Sequence, residues 1–173
     1  SWNSPAGITY GTALGSAQLN ATATDGGQAV AGTFSYNPPL GAVLGAGQHT
    51  LRVTFTPVDT SNFVAVEHSV AISVAKAALT IRADDKYKQV GKDNPALTAT
   101  YSGFVNGDTP ASLDTLASLS TTATTDSPVG TYPIVAAGAS GANYVITFVP
   151  GTLTVGTEAA SYRMMLPLVG RPQ

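Results

Sequence analysis

The side chains able to do chemistry in this 173-residue chain are few and scattered. His49 and His68 are its only histidines, and no third ligand stands at metal-site spacing from either. His49 follows a Gly-Gln pair at a strand start and reads as a packing position. Glu67 and Glu158 are the only glutamates and lie far apart, so the carboxylate pair of a glycosidase is not suggested. Asp84, Asp85, Asp93 and Asp108 gather in the second half with Lys86, Lys88 and Lys92 among them. Calcium needs several oxygens converging from loops, but EF-hand spacing is absent and the mixed signs read as a solvated loop. Serine and threonine are abundant without a Gly-x-Ser-x-Gly elbow or a paired base. Asn20-Ala21-Thr22 fits a glycosylation sequon by chance, and Thr121–Thr125 reads as a soluble, β-prone strand before it reads as a glycan carrier. An isopeptide from Lys76 or Lys86 to an asparagine is chemically possible, with little else to support it. No cysteine is present, so disulfides and thiolate metal sites are excluded. The expectation is a non-catalytic protein with no cofactor and no metal.

One segment offers chemistry of a different kind, that of assembly. Tyr162, Met164, Met165, Leu166, Leu168 and Val169 form an apolar run that is too short to span a membrane. Met164, Leu166 and Leu168 share one parity of an extended chain, and Met165, Pro167 and Val169 share the other. Sheet edges carry unpaired N–H and C=O groups, and an extended apolar segment can complete a neighbour's sheet. Pro167 has no N–H to give and must face the unpaired side of such an added strand. A donor at one place and an acceptor at another make a heterologous contact that propagates as a filament. A tail folded back on its own domain, or a sorting signal, are the competing readings.

The elements that would position these residues are strands. Thr50–Thr56 alternates strictly and puts Leu51, Val53 and Phe55 on one face. Val70, Ile72 and Val74 do the same, as do Leu79 with Ile81 and Tyr132 with Ile134. Gly, Asn, Asp and Pro clusters separate the runs. Most aromatic residues, Trp2 and Tyr36 among them, sit at alternating positions and read as core or corner packing, with Tyr144 in the corner role. The strongest signal is a repeat. Gly47-Gln48-His49-Thr50-Leu51, Asn62-Phe63 and Val70–Val74 return as Gly130–Ile134, Asn143-Tyr144 and Gly151–Val155. Short strands with frequent turns predict two sheets per repeat, each burying one face. The joint at Ala75-Lys76-Ala77 has no Gly, Pro or Ser run, so a stiff, elongated pair is expected.

Hydrophobic residues make up 43% of the chain, enough for a packed core in each repeat. Charged residues are only 10%, against about a quarter in ordinary soluble domains. A net charge of −2 leaves no basic field for nucleic acid. The start at Ser1 in place of Met predicts a processed chain or a piece of a longer one.

Residues 2–14, with Gly32-Thr33-Phe34 and Val53–Pro57, resemble bacterial Ig-like repeats of large surface proteins. Ala96–Asp108, Ser127–Ile134, Asn143-Tyr144 and Gly151–Val155 are similar to the MBG class of such modules. The tail is similar to short Leu-Pro-Leu-Val endings of secreted bacterial proteins. The resemblance implies an all-β fold, two tandem immunoglobulin-like β-sandwich domains over 1–76 and 77–156, followed by a linker and extended C-terminal tail over 157–173. It also implies a bacterial cell-surface or extracellular location and a role as spacer, stalk or adhesin. The function expected is that of a structural protein or filament subunit joined by strand donation from the tail, to identical subunits or neighbouring surface proteins. A glycan-binding adhesin using the loop at 102–112 is the alternative, and no nucleic acid or membrane span is expected.

Overall fold

Alternation of apolar with small polar side chains leaves the pleated strand as the conformation that buries one set and hydrates the other. The computed structural model describes residues 1–157, and its ordered structure is strand apart from one 3-10 turn at Pro110–Ser112. The strands are β1 (Ile8–Thr9), β2 (Thr24–Asp25), β3 (Gln28–Ala29), β4 (Gly32–Asn37), β5 (Gly47–Pro57) and β6 (Val66–Ala75). They continue as β7 (Ala77–Ala83), β8 (Lys86–Gln89), β9 (Ala99–Ser102), β10 (Ser118–Thr121), β11 (Gly130–Ala137), β12 (Tyr144–Val149) and β13 (Gly151–Gly156). The fold is all-β. A single residue, Lys76, separates β6 from β7.

Two compact units result. Unit 1 gathers residues 1–78 with 103–112 and 141–145, and unit 2 gathers 79–102, 113–140 and the chain from 146 onward. Two loops of the second sequence repeat therefore belong to unit 1.

Unit 1 is built on a four-stranded sheet in the order β1-β6-β5-β4. Leu51 and Val53 of β5 and Val70 and Ile72 of β6 bury one face of it against Trp2, Leu14 and Leu19. Each fully buried Leu or Ile contributes about 1.5–3 kcal/mol. The covering layer differs from the predicted second sheet. Apart from the β2–β3 ribbon it is irregular chain, held by Trp2 Nε1 donating to Gln18 O at 3.0 Å and Ala21 N donating to the Tyr36 hydroxyl at 2.9 Å. Unit 2 has two sheets, β10-β11-β13-β8 and β12-β7-β9. Leu79, Ile81 and Ala83 of β7 are buried, as are Ile134 of β11 and Leu153 and Val155 of β13. One apolar face on each sheet is the arrangement a β-sandwich requires.

The sequence repeat becomes a repeat of register. The order β1-β6-β5-β4 and the order β8-β13-β11-β10 describe the same sheet. Gly47 pairs Val74, His49 pairs Ile72 and Leu51 pairs Val70 on antiparallel strands. Gly130 pairs Val155, Tyr132 pairs Leu153 and Ile134 pairs Gly151 in the same steps. On the other side of the last strand Ile8 pairs Val74 in parallel, as Lys88 pairs Val155. The following turn repeats too, with Tyr10 N bonded to Ala75 O and Val90 N to Gly156 O. It needs a left-handed residue, supplied by Gly11 (φ 92°) and Gly91 (φ 75°).

Candidate functional site

The interaction residues named from sequence, Tyr162, Met164, Met165, Leu166, Leu168 and Val169, lie outside the described residues. A groove of about 380 Å³ lies in unit 1. Its walls are Phe34, Phe55, Phe63, Val30, Val64 and Val66, with Trp2 and His68 also in contact. Phe34 and Phe55 pack at 4.9 Å between ring centroids and Trp2 meets Tyr36 edge-on at 5.4 Å, so the floor is aromatic and preformed. Val64 at its rim is 77% exposed and Val58 nearby is 75% exposed. Asp25 lines this groove and, with Asp59, an adjoining depression. Asp59 is held below the usual carboxylate range by the Asn62 side chain, and by the Asn62 and Ser61 backbone amides. β4 stands at the edge of its sheet, with its outer side free of any described strand. The groove is thus a mainly apolar trough, lined in part by Phe34 of β4.

A second polar cluster sits in unit 1. Asp108 Oδ2 accepts hydrogen bonds from the hydroxyls of Tyr144 at 2.6 Å and Tyr10 at 2.9 Å. Asn106, in a left-handed conformation (φ 57°), donates to the Tyr10 hydroxyl at 3.4 Å. Tyr144 also meets Tyr10 and Phe104 edge-on. Asn106 and Asp108 of the predicted binding loop are thus engaged in internal bonds. Tyr144, read as a corner tyrosine, bonds instead to a segment some 36 residues away in sequence.

The Tyr144 hydroxyl, then those of Tyr10 and Ser112, hold Asp108 below its ordinary value, although desolvation works against them. A lowered carboxylate stabilises the fold above its unfolded pKa, and that stability is lost as pH falls through the folded value. Desolvation, then the bond to Asp108, pushes the Tyr144 phenol up from 10.0 to about 12. A raised phenol stabilises below its unfolded value and loses that contribution as pH climbs from 10.0 toward about 12. Melting curves against pH should therefore fall on the acid side below about pH 4 and again above pH 10. Tyr144→Phe should flatten the alkaline limb and weaken the acid one; unchanged limbs would show that the cluster is not linked to folding.

The corner role belongs to other residues, and the repeat identifies them. The Tyr132 hydroxyl donates to Pro128 O at 3.0 Å, four residues upstream. His49, at the same step in unit 1, places Nε2 2.7 Å from Gly45 O, also four residues upstream. A ring near the start of the strand tied back to the preceding turn is a hallmark of immunoglobulin-type sandwiches. Residues 79–154 match the family model of the MBG domain, YGX type. Domains of this kind occur in surface proteins. No curated protein matches the chain.

Within the MBG segment the acids have separate partners. Asp84 takes the hydroxyls of Thr98 and Thr100, Asp85 meets Arg82 at 3.4 Å, and Asp93 accepts from Thr125 at 2.9 Å. Thr98 and then Thr100 lower the Asp84 pKa. Among the described residues no three His, Cys, Asp or Glu groups converge as a metal site. Lys88 departs from the predicted solvated loop. It is 4% exposed, and its Nζ donates to Lys92 O at 2.9 Å and to Thr124 O. Its place in β8, opposite in parity to the exposed Tyr87, turns it inward. No helix among the described residues is long and apolar enough to cross a membrane.

Proposed function

We propose that the chain is a non-catalytic, extracellular structural component of a bacterial surface, a stalk or filament subunit whose repeats serve as spacers and whose tail joins one copy to the next. The observation that carries this reading is the duplication of one four-stranded sheet in one register, in a chain whose second repeat matches a surface-protein module. Duplicated modules whose polar groups are engaged internally are built to extend and connect. The apolar groove and the free side of β4 support a site for incoming chain. Residues 162–169 supply the matching segment.

The test is removal of residues 158–173. Light scattering and negative-stain microscopy of the full chain should reveal assemblies that grow with concentration. The shortened chain should stay monomeric with an unchanged melting curve. Assemblies that persist without the tail would sink strand donation, and a full chain monomeric at all concentrations would sink the filament reading.

A further inference from the structure

The turn that follows β1 returns after β8, but its surroundings differ. Tyr10 is buried, and a Cβ added to Gly11 would stand 2.7 Å from Val105 Cγ2. At the same step of the second repeat Val90 is 45% exposed, and a Cβ on Gly91 would meet no described atom within 4 Å. The cover over Tyr10 and Gly11 comes from two segments of the second repeat that belong to unit 1. The first, 103–108, closes on a tight turn. There Asp108 N donates to Val105 O at 3.0 Å, and the central residues Asn106 and Gly107 are both left-handed. This turn brings the Asp108 carboxylate to the Tyr10 hydroxyl and Val105 to Gly11. The second segment, 141–145, brings Asn143. Its Oδ1 accepts from Ala46 N and its backbone oxygen accepts from Ala77 N, each at 2.9 Å. The Tyr144 hydroxyl donates to Asp108 and accepts from Val105 N at 3.2 Å, which ties the two segments together.

We propose that the Tyr10-Gly11 turn and Ala46 form a docking surface for these two loops, and that the docking makes the two sequence repeats fold as one cooperative unit. The proposal does not involve the tail and stands apart from strand donation. Its basis is the cost of ordering chain outside a sheet. Fixing the backbone costs about 1–2 kcal/mol per residue, and the strand ladders repay none of it for residues 103–108. The loop is repaid by Tyr10, Gly11 and Tyr144, so it orders fully only when the first repeat is folded. Tyr10 in turn is buried, and its hydroxyl satisfied, only when the loop is in place. Each repeat therefore carries part of the other's stability, the nearest-neighbour term of repeat proteins. The surface is also selective. A phenol at this step offers Asp108 a donor, whereas the valine of the second repeat would leave the carboxylate facing an apolar side chain.

Thermal unfolding of the full chain tests this. Trp2 is the only tryptophan and is buried in the unit 1 core, so its emission follows unit 1. The parent should melt in one transition, coincident by Trp2 emission and far-ultraviolet circular dichroism, with a calorimetric enthalpy about equal to the van't Hoff value. Asp108→Ala removes the acceptor of both hydroxyls, and Asn143→Ala removes the bond to Ala46 N. Each should lower the Trp2 midpoint by about 5 °C, although neither residue belongs to the first repeat. Together they should split the transition and raise the ratio of the two enthalpies to about two. Tyr10→Phe keeps the ring, should lower the midpoint by itself, and should lose its effect in a chain that already carries Asp108→Ala. Two separate transitions in the parent would overturn cooperative folding. A doubly substituted chain that still melts in one transition, or a Trp2 midpoint that both single substitutions leave in place, would overturn the docking.

Discussion

Gly151→Val should destabilise unit 2 by about 3 kcal/mol, the upper end of the usual overpacking range. In sequence the substitution looks harmless, because the first repeat carries Val70 at the same step and buries it. The second repeat has used that space for backbone. A Cβ on Gly151 would lie 2.4 Å from Ala83 O, 2.8 Å from Ala83 C and 3.0 Å from Asp84 C. No flexible side chain can yield there, so β7 or β13 must move. β13 is held just beyond this point by Thr152 N donating to Asp85 Oδ1 at 2.7 Å and by the pairing of Gly151 with Ile134. A loss of that size lowers the melting temperature by roughly 12 to 24 °C in a domain of this length. Thermal unfolding followed by near-ultraviolet circular dichroism checks it. A melting point within about 2 °C of the parent would mean that the strands move apart freely, and that the close approach is not a constraint.

Lys88→Met should cost about 2 kcal/mol, and Lys88→Glu more. The Lys88 Nζ is buried, has no carboxylate partner among the described residues, and is satisfied by the carbonyls of Lys92 and Thr124. These belong to two separate turns, so one side chain fixes both. Methionine preserves most of the stem and removes the donors. Glutamate puts a carboxylate against two carbonyl oxygens. Chemical denaturation of the two variants beside the parent decides the matter. If methionine proves neutral or stabilising, the stem's packing is what the site uses and the charge is merely tolerated.

Much of the fold was legible because alternation is a local signal. Parity alone puts Leu51, Val53 and Phe55 on one face and Val70, Ile72 and Val74 on another; all are buried except Phe55, which is half-buried. Equal steps between repeated motifs carried over into equal registers. The covering layer of unit 1 was not legible. Its chain buries isolated residues such as Leu14 and Leu19 and is held by side-chain to backbone bonds, which leave no period. The groove lies beside that irregular chain, and no period in the sequence marks it. Tyr10, Asp108 and Tyr144 meet across 98 and 36 residues of sequence, and no local pattern announces such a meeting. Lys88 sits in a run of charges that suggests solvent, yet the alternation Lys86-Tyr87-Lys88-Gln89 held the signal that one lysine faces inward.

The parallel pairing at each last strand has a mechanical consequence. In unit 1 the early strand β1 lies beside β6, and in the MBG segment β8 lies beside β13, both in parallel. When such a pair is drawn apart by its opposite ends, the slanted bonds between the strands are loaded in shear and must rupture together. Antiparallel neighbours drawn from adjacent ends separate bond by bond, like a zip. The β1–β6 ladder joins two residue pairs and the β8–β13 ladder joins four. Loaded in this way, the β1–β6 ladder has fewer bonds to rupture together than the β8–β13 ladder.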